Sequence, residues 1–469
     1  MSDSSHGEGH FWQHTFLGSD RMMARTIARP VARFLHIEAA AGILLLVGAV
    51  VAVIWANSPW KESYLHLLHT EAGIDIGSFS LHLDLQEWVN DGLMTLFFFV
   101  VGMEIKREVV MGDLRDRRTA ALPVIAALGG MLVPALIYTG FNAGGEAAGG
   151  WGIPMATDIA FAVGIVSLLG SRVPVQLKLF LLTLAVADDL GAIAVIALFY
   201  TDDIDLVWLG VGVGMLGLAY VARRAHIWYV PVYVGIGLVA WYAVLQSGVH
   251  ATVAGVILGF ITPMVALRPD LDAEAIADSL EGRDLSPADV RAAAFELNES
   301  VPIAVRLIDW LHPWTAYVII PLFALFNAGV VLSGDAIGAA FGSTITLGIF
   351  FGLVVGKTVG VSSFAWLAAK TGIGRLPRGV GLGQLIGIAS AAGIGFTVAI
   401  FVTELSFDSE IFKEEAKIGI FAASILAGIV SSIVLSLAGR RVKPGDAELM
   451  RMEEERFFSD QASPSTAAR

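Results

Sequence analysis

The run Gln176-Leu177-Lys178-Leu179-Phe180-Leu181-Leu182-Thr183-Leu184-Ala185-Val186-Ala187-Asp188-Asp189-Leu190-Gly191-Ala192-Ile193-Ala194-Val195-Ile196-Ala197-Leu198-Phe199-Tyr200 is apolar along nearly its whole length and carries two adjacent aspartates at its middle. A helix of this length spans the hydrocarbon core of a bilayer, about 30 Å, at a rise of about 1.5 Å per residue. Asp188 and Asp189 then lie about half-way through. One charge at that depth costs about 3 kcal/mol on insertion scales, so two in succession call for a cation, a proton or a partner. An ionisable residue placed there is read first as a functional site.

The same pattern extends outward along the chain. Of the 469 residues, 56% are hydrophobic and 16% charged, and the apolar ones gather in blocks between short polar joints. This predicts an all-α polytopic membrane protein of about twelve transmembrane helices, a count that follows from the block length. Their centres fall near Val47, Phe98, Gly130, Phe161, Val186, Gly214, Leu238, Val256, Leu322, Leu353, Gly393 and Ala427. Basic residues sort to alternate joints: Arg21 to Arg33, Lys106 to Arg118, Arg172 and Lys178, Arg223 and Arg224, Arg268 to Arg306, Lys370 to Arg378, and Arg440 to Lys443. Only Lys61, Lys413 and Lys417 fall on the opposite side. Positive joints stay in the cytoplasm, which places both termini there, in a multi-pass protein of the cell inner membrane.

The expected organisation is a cytoplasmic segment 1–33, spans one to eight over 34–267, a cytoplasmic insert 268–309, spans nine to twelve over 310–441, and a disordered tail 442–469. The first apolar run comes after a long polar lead with no cleavage signature, so it reads as a retained span. In the insert, Ser286 is placed to cap a helix that starts at Pro287. Between the first two spans, Gly73 to Leu85 alternates apolar and polar residues about Gly77-Ser78, the pattern of a small periplasmic β-hairpin. An isolated hairpin is marginal, so Ile74–Leu85 is expected to dock on something such as a second subunit, giving a homodimer. The net charge of -13 is spread over loops and tail, and the absence of cysteine excludes disulfides and thiolate metal sites. Asp202, Asp203 and Asp205 read as a solvated loop, and the arginine-rich joints report topology rather than nucleic-acid binding. No cofactor is expected.

Two apolar segments contain breakers. Pro154-Met155-Ala156-Thr157-Asp158 interrupts the fourth, and Gly393-Ile394-Gly395-Phe396-Thr397 interrupts the eleventh. Breaks at corresponding places in two halves of a transporter point to a midplane site, where half-helix ends supply fixed partial charges. Asp158 suits the N-terminal ends and Lys357 the C-terminal ends. Lys357 sits among Gly352, Gly356 and Gly360, whose spacing permits close helix approach, and its stem is too short to snorkel from so central a position.

These motifs resemble the NhaA-type sodium/proton antiporters over about Phe34 to Arg441. The resemblance is carried by Ala156-Thr157-Asp158-Ile159-Ala160-Phe161-Ala162, Asp188-Asp189-Leu190-Gly191-Ala192-Ile193, Val101-Gly102-Met103-Glu104-Ile105-Lys106-Arg107-Glu108, Ser247-Gly248-Val249-His250-Ala251-Thr252, Gly356-Lys357 and Gly393-Ile394-Gly395-Phe396-Thr397. It implies inverted-topology repeats in which the fourth and eleventh helices are unwound and cross. It makes Asp189 the principal sodium and proton carboxylate and Asp188 its partner, with Asp158 and Thr157 at the crossing and Lys357 compensating charge, either by pairing with Asp188 or by offsetting helix ends. It implies electrogenic export of sodium or lithium against external protons. Glu104, Lys106, Arg107, Glu108 and Asp309 fall where the family senses pH, and Asp91 and His250 match other positions linked to activity. Here Asp309 stands at the end of a long acidic insert where a Glu is familiar, a departure that touches regulation more than transport.

Physical reasoning reaches the same mechanism independently. Hydrocarbon disfavours an ionised carboxylate, whereas sodium needs deprotonated oxygen ligands, so protons and sodium compete for one site. A site open to one side at a time converts that competition into exchange. Two other readings use the same buried groups. An ion-coupled transporter of an organic solute would share the architecture. An intramembrane aspartyl protease built on Asp158 and Asp188 would lack its Gly-x-Gly-Asp pattern and leave Lys357 without a role. The chain is therefore not expected to be an enzyme.

Overall fold

The computed structural model describes residues 40–77, 79–201, 204–225, 227, 229–266, 286–374, 376 and 380–439. The expected segment 1–33, the first part of the insert, the tail 442–469, and Asp202, Asp203, Arg375 and Arg378 lie outside the described residues. The chain is mostly helical. In order it forms α1 (Ala40–Ala56) and α2 (Lys61–Leu68), then a hairpin of β1 (Glu71–Ile76) and β2 (Phe79–Asp84), then α3 (Met94–Val110) and α4 (Arg117–Asn142). A 3-10 segment, Glu146–Met155, leads to α5 (Ile159–Leu168), followed by α6 (Val175–Phe199), α7 (Leu206–Arg224), α8 (Val230–Gln246) and α9 (Ala251–Ile261). Beyond the insert come α10 (Pro287–Glu299), α11 (Ile303–Trp314), α12 (Ile320–Asn327), α13 (Thr344–Phe351), α14 (Lys357–Lys370), α15 (Leu382–Ala391), α16 (Phe396–Ser406) and α17 (Glu410–Gly439).

Among the described residues, six helices are long and apolar enough to cross a membrane, or nine if each sharply bent pair counts as one span. Two of those pairs are the segments in which the sequence places breakers: 146–155 with α5, bent by 42°, and α15 with α16, bent by 48°. The third, α1 with α2, turns by 119°. Large apolar side chains are exposed all along the outside, with Leu198, Leu206 and Val207 about three-quarters accessible. Scattered exposed leucines are ordinary, but rows of them running along helix after helix make a surface for hydrocarbon rather than water.

Close helix contacts form where glycine removes the side chain. Gly129 on α4 and Gly360 on α14 approach so closely that a Cβ on either would meet the other's carbonyl oxygen. One turn earlier, a Cβ on Gly356 would stand 2.8 Å from Pro134 Cα. The glycine spacing around Lys357 is thus the seam between α14 and α4. A second seam joins α3 to α9, where Gly102 lies against Val256 and Gly259 against the Phe99 carbonyl. The apolar interior forms two main clusters, one around Phe98, Tyr138, Phe323 and Phe401, the other around Leu122, Leu181, Val361 and Ile388. Ile394 belongs to the second and Phe396 to the first, so the α15–α16 break is where the two clusters meet.

The alternating segment after α2 is a two-stranded antiparallel sheet with Ile76 opposite Phe79. Gly77 adopts φ 63°, the left-handed conformation that a two-residue hairpin turn needs and glycine allows. Trp88 docks the hairpin on the helices. Its Nε1 donates to the Ala72 carbonyl at 2.8 Å while its ring stacks on Trp241 with centroids 6.0 Å apart. Hydrogen bonds from Ser80 and His82 hold the Asp75 carboxyl below the usual carboxylate range. In the insert, Ser286 caps α10 with Pro287 at its first position, and Asp289 completes a capping box.

Candidate functional site

The two broken segments meet backbone to backbone. After Met155 the chain runs extended, and the Asp158 amide donates to the Ile394 carbonyl at 2.7 Å. Pro154 lacks the amide that would continue the first helix, and Gly393 and Gly395 admit Leu353 at the second break, where side chains would collide with it. Two tyrosines pin the segment that enters the crossing: Tyr200 Oη accepts from the Gly152 amide at 2.9 Å and donates to the Gly149 carbonyl at 2.7 Å, while Tyr138 Oη donates to the Ala147 carbonyl at 2.8 Å.

Asp158 serves both half-helices that start here. Its Oδ1 accepts from the Phe161 amide at 3.0 Å, capping α5. Its Oδ2 accepts from the Thr397 amide at 3.0 Å and the Thr397 hydroxyl at 2.6 Å, in the first turn of α16. One buried carboxylate thereby satisfies orphan amides at two helix N-termini, where the positive ends of the helix dipoles favour it. Thr397 belongs to the breaker motif of the eleventh segment, but the sequence alone assigns it no role. Its signal is a hydroxyl residue directly after a helix start marked by Gly-x-Gly.

Lys357 is fully buried, and its ammonium forms an ion pair with Asp188 Oδ2. It also donates to Thr157 Oγ1 at 2.9 Å. The Thr157 hydroxyl lies 2.6 Å from Asp188 Oδ2 and 2.9 Å from the Ala392 carbonyl at the end of α15. Having one proton, it donates to one of them at a time. Lys357 therefore reaches the C-terminal end of α15 only through Thr157, and its direct partner is Asp188. The sequence leaves pairing with Asp188 and offsetting of helix ends both open, and here the ammonium stands on Asp188.

Two oxygen-bearing groups are left over. Asp188 Oδ1 is buried without a hydrogen-bond partner among the described residues. Asp189, 7% exposed, makes no ion pair or side-chain hydrogen bond there. Successive helical residues point about 100° apart, so Asp189 is turned away from the lysine that holds its neighbour. Its charged surroundings are Asp188, Lys357, Glu104 and Asp158. A buried carboxylate with no donor of its own, beside a second carboxylate with a free oxygen, suits a hard cation or a proton.

Thr157, Asp158, Asp188 and Lys357 come together as one constellation, with Asp189 beside it and Glu104 in its field. The remaining candidates do not join it by contact. Glu104 has His312 on α11 and Arg107 as its charged neighbours. Lys106 Nζ donates to the Thr262 carbonyl, next to the Ile261 carbonyl that accepts from Arg223 Nη1 at 3.2 Å, so both basic groups cap the end of α9. Arg107 and Asp309 are exposed and Glu108 is half-buried. His250 stands at the N-cap of α9 without a side-chain cap bond, and the Asp91 carbonyl accepts from Trp241 Nε1 and Thr95 Oγ1. Lys413 and Lys417, two exceptions to the basic sorting, converge on Glu404 at 3.3 and 2.6 Å and tie α16 to the first turns of α17. The sequence offered no signal for that triad, because its members lie on two helices joined only by folding.

Residues 32–435 match the family described as Na+/H+ antiporter 1. Among curated proteins, the chain is 45% identical over 425 residues to "Na(+)/H(+) antiporter NhaA 3" of Frankia alni, covering 90% of this chain and 91% of that one. It is 46% identical over 425 residues to "Na(+)/H(+) antiporter NhaA 2" of Myxococcus xanthus, covering 88% and 90%. To "Na(+)/H(+) antiporter NhaA" of Oleidesulfovibrio alaskensis it is 44% identical over 449 residues, covering 92% and 99%.

Proposed function

The chain belongs to the Na+/H+ antiporter 1 family, and we propose that it exchanges sodium for protons across a membrane through the carboxylates of Asp188 and Asp189. The observation that carries this reading is Asp189, buried beside the helix crossing without a partner among the described residues, next to an Asp188 with one oxygen free. Sodium binds the deprotonated pair, protons displace it, and exposure of the site to one side at a time makes the exchange obligatory. Loss of more than one proton per cation bound makes the cycle electrogenic, and lithium, with the same charge and preference for oxygen, is accepted too. The testing experiment is sodium-dependent dissipation of a pH gradient in everted vesicles, where no dissipation above empty vesicles would refute the reading. The named relatives are antiporters, which are transporters and not enzymes. A protease dyad of Asp158 and Asp188 has no support, since the Asp158 oxygens are committed to Phe161 and Thr397.

In the same reading the helices assemble as about twelve spans with inverted repeats, the pairs 146–155 with α5 and α15 with α16 being the fourth and eleventh; the block length of the apolar runs and the alternate basic joints support this. Both termini then face the cytoplasm, with the protein in the inner membrane. The hairpin lies on the outer side and pairs two copies. Deleting Ile74 to Leu85 is expected to yield a monomer that still exchanges ions, because the hairpin is docked through Trp88 and touches none of the site residues. Light scattering coupled to size exclusion checks it, and an unchanged dimer would contradict the assignment.

The pH response arises from competition. Protons hold the site at acid pH, so exchange is low there and rises toward alkaline pH, with apparent sodium affinity improving more than the maximal rate. Glu104, in the field of Asp189 and flanked by His312 and Arg107, is the sensor candidate that this geometry favours. Glu104→Gln is expected to displace the activity profile along the pH axis at saturating sodium without lowering its peak. If saturating sodium abolishes the acid-side dependence of the unmodified protein, competition suffices and no separate sensor is needed.

A further inference from the structure

The helix that carries Lys357 is not regular. Between α13 and α14, residues Gly352–Gly356 form a π-helical turn, and the Lys357 amide closes it by donating to the Gly352 carbonyl five residues back. Such wide turns contain one residue more than an α-helical turn and concentrate at functional sites. Its surroundings give this one a purpose. A Cβ on Gly352 would lie 2.7 Å from Pro154 Cβ, at the first break. Cβ atoms on Gly393 and Gly395 would lie 2.5 Å from the Leu353 carbonyl oxygen and 2.9 Å from Leu353 Cδ2, at the second. The wide turn thus touches both halves of the crossing and ends on the lysine that holds Asp188.

Thr358 completes the arrangement. In this wide turn the Lys357 amide serves Gly352 rather than Leu353, and one residue on, the Thr358 hydroxyl donates to the Val354 carbonyl inside the turn at 2.6 Å. A second acceptor, Ser390 Oγ on α15, lies 3.3 Å from the same hydroxyl. Ser390 is buried and donates its own proton to the Ile386 carbonyl at 2.9 Å, which leaves its oxygen free to accept. Narrowing the turn by one residue would rotate the helix beyond it by about 100° and carry Lys357 off Asp188. The Lys357 amide would then reach the Leu353 carbonyl, and the Thr358 hydroxyl, swung with the helix, would leave Ser390.

We propose that the wide turn Gly352–Gly356 and the Thr358 hydroxyl position Lys357 against Asp188, and that the turn narrows to release the lysine when sodium takes its place. This rests on the sodium-site reading of Asp188 and Asp189. Thr358 is a positioning residue: it acts through Lys357 and does not touch the ion.

The chain contains no cysteine, so paired labels can be introduced without background. Leu132 on α4 and Val359 on α14 are both about half-exposed on the apolar outside. Spin labels at Leu132→Cys and Val359→Cys are expected to change separation by roughly 5 Å or more on adding sodium at alkaline pH, the displacement of a side chain swung through one helical register step. Thr358→Val removes the hydroxyl that ties this helix to Ser390 in the wide form, so the apparent KM for sodium should fall at least about threefold with kcat changed less, and Thr358→Ser should restore it. Labels that do not respond to sodium in a labelled protein that still exchanges ions would overturn the register switch alone, as would an unchanged KM in Thr358→Val. Absence of exchange in the unmodified protein would overturn the antiport reading itself.

Discussion

Asp189→Asn is expected to abolish sodium-dependent proton movement in everted vesicles, down to the level of empty vesicles, while the amount of protein in the membrane and its unfolding temperature stay near those of the unmodified chain. An amide has the shape of the carboxylate but neither releases a proton nor supplies a negative oxygen. Among the described residues no lysine, hydroxyl or backbone amide depends on Asp189, so nothing there is left unpaired by the change. That is the contrast with Asp188→Asn. Asp188 accepts from Lys357 and Thr157, so its loss leaves a buried ammonium uncompensated, and both stability and exchange should fall. Near-normal exchange by the Asp189 variant would remove it from the centre of the mechanism. Electrogenic exchange at an ordinary rate in the Asp188 variant would show that Asp188 carries no transported proton.

Lys357→Ala is expected to cost stability as well as transport. Removing one partner of a fully buried ion pair leaves the other charge in apolar surroundings, a loss on the order of 3–5 kcal/mol, and the truncated stem leaves a cavity besides. Thermal unfolding in detergent should show the loss directly. Lys357→Arg keeps a cation beside Asp188 and should retain more of both properties. An alanine variant that unfolds with the unmodified protein would mean that Asp188 is protonated or otherwise neutralised when the lysine is gone, and that the pair contributes little to the fold.

Much of this is legible in the chain because membrane burial makes polarity conspicuous. Asp158, Asp188, Asp189 and Lys357 stand out since charges are rare in apolar runs, and the structure buries all of them. Prolines and glycines mark the two breaks, alternation about Gly77-Ser78 marks the hairpin, and Ser286-Pro287 marks a helix start. Pairing is not legible in the same way. Sequence spacing says which face of a helix a residue occupies but not which neighbour it meets, so it leaves Lys357 between helix ends and Asp188, and only the folded chain sets the ammonium on Asp188. The Glu404 triad and the Thr397 bonds to Asp158 escape it for the same reason. The wide turns at Trp88–Leu93, Thr315–Ile319 and Gly352–Gly356 have no shared composition. At Gly352–Gly356, packing against Pro134, Pro154 and the second break surrounds the turn, and none of those contacts is local in sequence.

The double cap at Asp158 bears on leakage. A helix N-terminus carries roughly half a positive charge, so one carboxylate serving two such ends is electrically spent. Asp188 is likewise balanced by Lys357. An empty site is then left with a single uncompensated negative charge, that of Asp189, whereas the same site holding a sodium ion is neutral. Carrying the empty site from one side of the hydrocarbon to the other meets a desolvation penalty that the sodium-loaded form escapes. Slippage, the return of an unloaded carrier that would let one ion run down its gradient alone, is opposed by the charge count of the crossing without any separate lock.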